Sequence, residues 1–134
     1  MNTTEIRKGV LVIVYGENGN FLLLKQTKSS LWGFISGGIE SGETDVEAAL
    51  RESMEEAGLK IESDNLFKTE KIIRFVNLRG PGEQVVFIYK MNQGPVKIDN
   101  DEICEYGWFP KKDALLNLEA KPPLKQLILD LFPN

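Results

Sequence analysis

The stretch Gly37–Leu59 reads GGIESGETDVEAALRESMEEAGL, a glycine-rich turn that becomes a helix. Thr44 or the nearby Ser41 can cap its start, and Glu43, Asp45 and Glu47 suit the positive end of the helix dipole. Gly58 stands where a left-handed residue is wanted just past the last turn. Val46, Ala49, Leu50, Ser53 and Ala57 recur at helical spacing and are expected to form the buried face, made mostly of small residues. At about 100° per residue, Glu52, Glu55 and Glu56 fall within an arc of roughly 100° on another face. Like charges three and four residues apart repel, by about 0.3 kcal/mol per pair, and these crowd the negative end of the dipole. The arrangement works against helix stability, so something should compensate. Mg²⁺ and Mn²⁺, which prefer carboxylate oxygens, are the natural candidates; a merely solvated acidic face is the alternative.

Gly37, Glu43, Arg51, Glu52, Glu55, Glu56, Gly58 and Leu59 together match the Nudix box: Gly, five residues, Glu, seven residues, Arg-Glu-aliphatic-x-Glu-Glu-x-Gly-aliphatic. The chain resembles the Nudix hydrolase family over most of its length. Ser53 departs at a packing position where an aliphatic residue is usual, and Ile35-Ser36-Gly37 replaces the family's common Pro-Gly-Gly. The resemblance implies an α/β fold of α/β/α sandwich type, with a mixed β-sheet between helices. It implies metal-dependent hydrolysis of a phosphoanhydride in a small nucleotide-type diphosphate: a nucleoside triphosphate, ADP-ribose or similar. Glu52, Glu55, Glu56 and the carbonyl of Ser36 are the implied ligands of Mg²⁺ or Mn²⁺. Arg51 is the implied orienting residue for one glutamate. Glu102 or Glu105 is implied to complete the site or serve as general base. Non-nucleotide diphosphates, capped RNA ends, or nucleotide binding without turnover are the alternative readings.

Composition sets limits around that reading. A chain of 134 residues with 42% hydrophobic content can build one compact core, and one domain over residues 1–134 is expected. A net charge of −4 argues against a non-specific grip on nucleic acid, which needs a basic surface. No membrane partner is expected, because no signal peptide or membrane-length apolar run is visible. The single cysteine, Cys104, cannot form an internal disulfide; this fits a reduced, cytoplasmic setting, and Cys104 is read as a small packed side chain in a strand. The absence of histidine excludes Ser-His-Asp triads, Cys-His pairs and His-ligated zinc. Subunit number is left open, a homodimer included.

Lys8–Gly16 and Phe21–Gln26 are apolar runs joined across Asn18-Gly19, a hairpin whose strands should be central and covered on both faces. Lys25, Gln26 and Lys28 follow at the end of the second strand, where cations can meet substrate phosphates or simply be solvated. Trp32 and Phe34 are read as core, or as walls of a pocket for a flat group. Leu66–Leu78 is expected as a strand pair or one long bent strand, Arg79–Glu83 as a turn cluster, and Gln84–Tyr89 as a buried strand. Arg74 and Arg79 join Lys25 as candidate phosphate contacts, with a solvated hairpin tip as the alternative for Arg79. An acidic segment, Asp99 to Glu105, precedes a late strand, Tyr106–Phe109. A helical stretch near Lys111–Leu118 follows, and Pro122-Pro123 opens an amphipathic helix bearing Leu124, Leu127, Ile128 and Leu131 that should cover one face of the sheet.

Overall fold

A computed structural model describes residues 5–99 and 101–134. The chain runs β1 (Arg7–Gly16), β2 (Asn20–Gln26), β3 (Trp32–Gly33), β4 (Ile35–Gly38), α1 (Asp45–Ala57), β5 (Leu66–Asn77), β6 (Gly80–Met91), β7 (Ile103–Pro110), α2 (Lys111–Asn117) and α3 (Pro122–Leu131). The sheet order is β3-β2-β1-β6-β5, with β4 paired to β1 and β7 to β2. β1 and β6 are parallel, from Arg7↔Gly82 to Gly16↔Met91, and every other pairing is antiparallel, so the sheet is mixed.

The unbroken apolar run of β1 has its explanation here. Val10, Val12 and Val14 pack on the α1 side of the sheet, while Leu11 and Ile13 pack on the α2–α3 side. Each such fully buried side chain contributes about 1.5–3 kcal/mol. Helices on both faces make the α/β/α sandwich. Its α1 layer is thin because the contact residues are small: Ala48, Ala49, Ser53 and Ala57. Ser53 is fully buried, and its hydroxyl donates to the Ala49 carbonyl at 2.8 Å, so the polar group is satisfied within the helix.

Several sequence expectations change in detail. The buried face of α1 includes Ala48 and Glu52, whereas Val46 and Leu50 are only partly buried. Leu66–Asn77 is one long strand with a register irregularity between Lys68 and Ile72. There Thr69 turns inward and donates to the Val86 carbonyl at 2.8 Å. The turn after it is tighter than the Arg79–Glu83 cluster suggested. Asn77 pairs with Gly80 across Leu78-Arg79, the Asn77 side chain accepts the Arg79 amide at 2.9 Å, and Gly80 takes φ +100°. Cys104 lies on β7 as expected but is exposed rather than packed, its thiol donating to the Lys25 carbonyl at 3.6 Å. No helix among the described residues is long and apolar enough to cross a membrane.

Candidate active site

The site is assembled where the glycine-rich strand β4 meets α1. Thr44 caps α1 in a reciprocal capping box: its hydroxyl accepts the Glu47 amide at 3.1 Å, and Glu47 accepts the Thr44 amide at 2.9 Å. Gly58 closes the helix at φ +64°. Gly37 is required for a different reason. A Cβ there would fall inside the Glu52 carboxylate, so the strand backbone lies flat against that side chain.

Arg51 ties the turn to the helix. Its Nε and Nη2 donate to the two oxygens of Glu43 at 2.8 and 3.1 Å, and Nη2 also donates to the Gly38 carbonyl at 2.8 Å. Its Nη1 donates to Glu52 at 2.6 Å and to Glu55 at 3.2 Å. The ion pair holds the Glu43 carboxyl below the usual carboxylate range and raises the Arg51 pKa further. Glu52 is 9% exposed, and burial pushes its pKa up despite Arg51.

Glu56 stands on the other side of Glu52 and, among the described residues, pairs with no cation. Its Oε1 accepts the Ser36 amide at 3.1 Å. Burial first, then the negative charges of Glu52, Glu102 and Glu55, push its pKa up to about 8. It lines a cavity of about 360 Å³ with Gln26, Lys28, Asp101, Glu102 and Ile103. Ser36 lines two further cavities, of about 540 and 810 Å³, and Gln26 lines all three. The cavities therefore share Gln26, and the hydrogen bond from Ser36 to Glu56 links the wall of the 360 Å³ cavity to those of the other two.

The remaining candidates separate. Glu102 shares the wall of the 360 Å³ cavity with Glu56, whereas Glu105 sits opposite Lys25 in the β2–β7 ladder, its carboxylate 3.9 Å from the ammonium. Lys25 also lies 5.9 Å from the centroid of the Trp32 ring. Phe34 is buried and walls the 540 Å³ cavity; Trp32, half-buried, packs edge-on against Phe109. Arg79 lines the 810 Å³ cavity. Arg74 is not brought to any of the three. It points to the α1 side and pairs with Glu83 at 3.4 Å, while Ile73 and Phe75, one residue either way, face the cavities. Strand alternation decides that, and a one-residue difference reverses it.

Among the described residues no three carboxylates stand as a ready-made cation cage. Arg51 holds Glu52 and Glu55, so gathering the ligands takes side-chain rotation, which the exposed Glu55 is free to make. The donor set nevertheless fits a divalent cation. Glu56 is an oxygen donor whose ionised form is opposed by burial and by three neighbouring carboxylates, a penalty that a bound cation would reverse.

A family model described as the NUDIX domain matches residues 5–131. The chain belongs to the NUDIX family. NUDIX proteins generally use divalent metal ions and act on small nucleotide-type substrates. The chain is 32% identical to the 8-oxo-dGDP phosphatase of Homo sapiens, over 83% of this chain and 34% of that one. It is 31% identical to a putative 8-oxo-dGTP diphosphatase of Bacillus subtilis, over 75% of this chain and 64% of that one. It thus spans about a third of the human relative's length and just under two thirds of the bacterial one. The NUDIX fold is shared with the dihydroneopterin triphosphate pyrophosphohydrolase of E. coli, with a TM-score of 0.82 at 19% identity, covering 96% of this chain and 97% of that one. A C. elegans Ap4A hydrolase aligns with a TM-score of 0.77 at 21% identity, over 96% and 98% of the two chains.

Two residues that line these cavities were not singled out by sequence: Gln26, on the wall of all three, and Lys121, on the wall of the 540 Å³ cavity. Gln26 was noted only beside the lysines, and no local signal marks it as the shared wall of three cavities. The only local signal for Lys121 is its position directly before Pro122-Pro123 at the start of a helix.

Proposed function

We propose that this NUDIX chain hydrolyses a phosphoanhydride bond in a nucleoside diphosphate linked to a further group, using Mg²⁺ or Mn²⁺. The observation that carries the reading is Glu56: a carboxylate that pairs with no cation among the described residues and shares the wall of the 360 Å³ cavity with Glu102. Glu56, Glu52, Glu55 and the Ser36 carbonyl would hold the ion. When bound, it supplies the positive charge that a polyanionic substrate otherwise lacks in an acidic cleft. Arg51 orients Glu52 and Glu55 and anchors them to the turn through Glu43 and Gly38. Glu102 is our choice for the group that takes a proton from the attacking water; its place on the cavity wall, and the position of Glu105 outside that wall and 3.9 Å from Lys25, support the choice. Lys28, on the wall of the same cavity, is available to the substrate phosphates. The lone, exposed Cys104 agrees with a reducing, cytoplasmic location.

The experiment is a phosphate-release panel of nucleoside triphosphates, ADP-ribose, dinucleoside polyphosphates and sugar nucleotides, with Mg²⁺ or Mn²⁺ and with chelator. Turnover on at least one substrate that stops with chelator is the expected result. Binding without turnover across the panel would leave a nucleotide-binding module instead.

A further inference from the structure

The 540 Å³ cavity runs from Ser36 and Gln26 toward the start of α3 and has an end that the metal chemistry does not use. Its walls there are Phe34, Ile73, Phe75 and Leu124. Phe75 is pinned: a Cβ on Gly82 would stand 2.5 Å from the ring's Cζ, so the ring lies directly on the glycine. The one charged group in the lining is Lys121. Its Nζ lies 3.2 Å from where a Cβ of Gly33 would be, over the bare strand β3.

Lys121 is not explained by stability. Among the described residues no carboxylate reaches its ammonium, and burial alone, offset by no neighbouring charge, lowers its pKa. It occupies the N-cap of α3, where Ser, Thr, Asp or Asn would be favoured, and makes no side-chain cap bond. Its positive charge also opposes the helix dipole. The backbone fixes it from both sides, with its amide on the Leu118 carbonyl at 2.9 Å and its carbonyl accepting the Leu124 amide at 3.0 Å. Partial burial leaves this ammonium with solvent as its acceptor, and a ligand that brings an acceptor into the cavity can replace that solvent.

We propose that this end of the cavity seats the substrate's nucleobase, and that Lys121 selects bases presenting a carbonyl oxygen, the 6-oxopurines and 4-oxopyrimidines, over their amino counterparts. The inference rests on the nucleotide reading above and deepens it. The walls suit a flat, weakly polar ring rather than a phosphate, whose charges need several donors and would lose their hydration against Phe34 and Leu124. An ammonium has three donors and no acceptor. It can answer a carbonyl oxygen, and it leaves an exocyclic amine facing another donor. A site built around such a bond discriminates strongly against the analogue that cannot make it.

The test measures dissociation constants, by calorimetry with Mg²⁺, for guanosine and adenosine 5′-(α,β-methylene)triphosphates, which are not cleaved at that bond. Wild type should bind the guanosine analogue about ten- to a hundredfold more tightly. Lys121→Met, which keeps the aliphatic stem, should bring the two within about twofold, mainly by weakening the guanosine analogue; Lys121→Arg, which keeps donors, should retain a preference. Thermal melts of each variant check that the fold is intact. Equal binding by wild type, no binding of either analogue, or an unchanged ratio in Lys121→Met overturns the inference. Hydrolysis is scored separately on GTP and ATP. Base discrimination without turnover counts against the hydrolase reading alone, and turnover without discrimination counts against the base reading alone.

Discussion

The two flanks of the acidic arc on α1 are made of the same residue type, yet they are in different electrostatic states. On one flank Arg51 answers Glu52 and Glu55 and ties both to Glu43. On the other, Glu56 receives one backbone N–H and shares a cavity wall with Glu102. The chain neutralises the first flank from within, and that flank holds the turn against the helix. The second is left unanswered on the wall of the 360 Å³ cavity. Charge that the fold has already compensated does structural work, and charge that it has not is available to a ligand.

The largest effect expected from breaking this contrast is on turnover. Glu56→Gln removes the unanswered charge and keeps the shape, so hydrolysis at saturating Mg²⁺ should fall at least about a hundredfold. Metal-free stability above about pH 8, where Glu56 is ionised, should stay equal or rise, since the substitution removes like-charge repulsion there. Near wild-type turnover in this variant would remove the flank from the mechanism.

Arg51→Met attacks the other flank and should act first on stability. It strands the buried Glu52 without its partner and frees the turn. A cost of about 2 kcal/mol is expected, below the 3–5 kcal/mol of a fully buried pair because the Arg51 side chain keeps 23% of its surface in solvent. Chemical denaturation of wild type and variant without metal measures it; a change below about 0.5 kcal/mol would mean that the ion pairs are surface ornament.

Glu102 and Glu105 sharpen the comparison further along the chain. Glu102→Gln should lower turnover about tenfold or more, while Glu105→Gln, which loses only a long contact to Lys25, should stay within about twofold. Equal losses in the two variants would undo the assignment drawn from the cavity.

The smallest effect is a pH slope. Glu56 holds its proton up to about pH 8 in the folded protein, against an ordinary value near 4.5 in the unfolded chain. Between those values the folded state binds more protons. Its contribution to stability is therefore complete below about 4.5, falls as pH rises, and is lost above about 8. Melting temperature measured from pH 5 to 8.5 without metal should decline by a few degrees, roughly, and the slope should flatten in Glu56→Gln. Millimolar Mg²⁺ should raise the melting temperature most at the alkaline end, where the carboxylate is free to bind it. A wild-type slope no steeper than that of Glu56→Gln would show that Glu56 is not the group titrating.

Much of this protein was legible in local pattern. The run in β1, the Asn-Gly turn after it, the Thr44 cap, the Gly58 stop and the Pro122-Pro123 opening of α3 depend on residues close together in sequence, where period and capping chemistry are decisive. The box from Gly37 to Leu59 places three glutamates on one arc by helical geometry alone. The same local logic misread Cys104 as packed and could not tell which face Arg74 turns, because both environments depend on which strand lies alongside. Sequence could not choose between Glu102 and Glu105 either, because β7 reaches β2 only after the intervening elements have folded. Nor could it tell that Arg51 answers Glu52 and Glu55 but not Glu56, or that Lys121 comes to rest over Gly33 beside Phe34. Helix period and capping are set within a few residues, so the sequence by itself determined the elements and the acidic arc. Burial and the distance between charges are set by chain segments far apart in sequence, so only the tertiary structure decided which of those charges is left for a ligand.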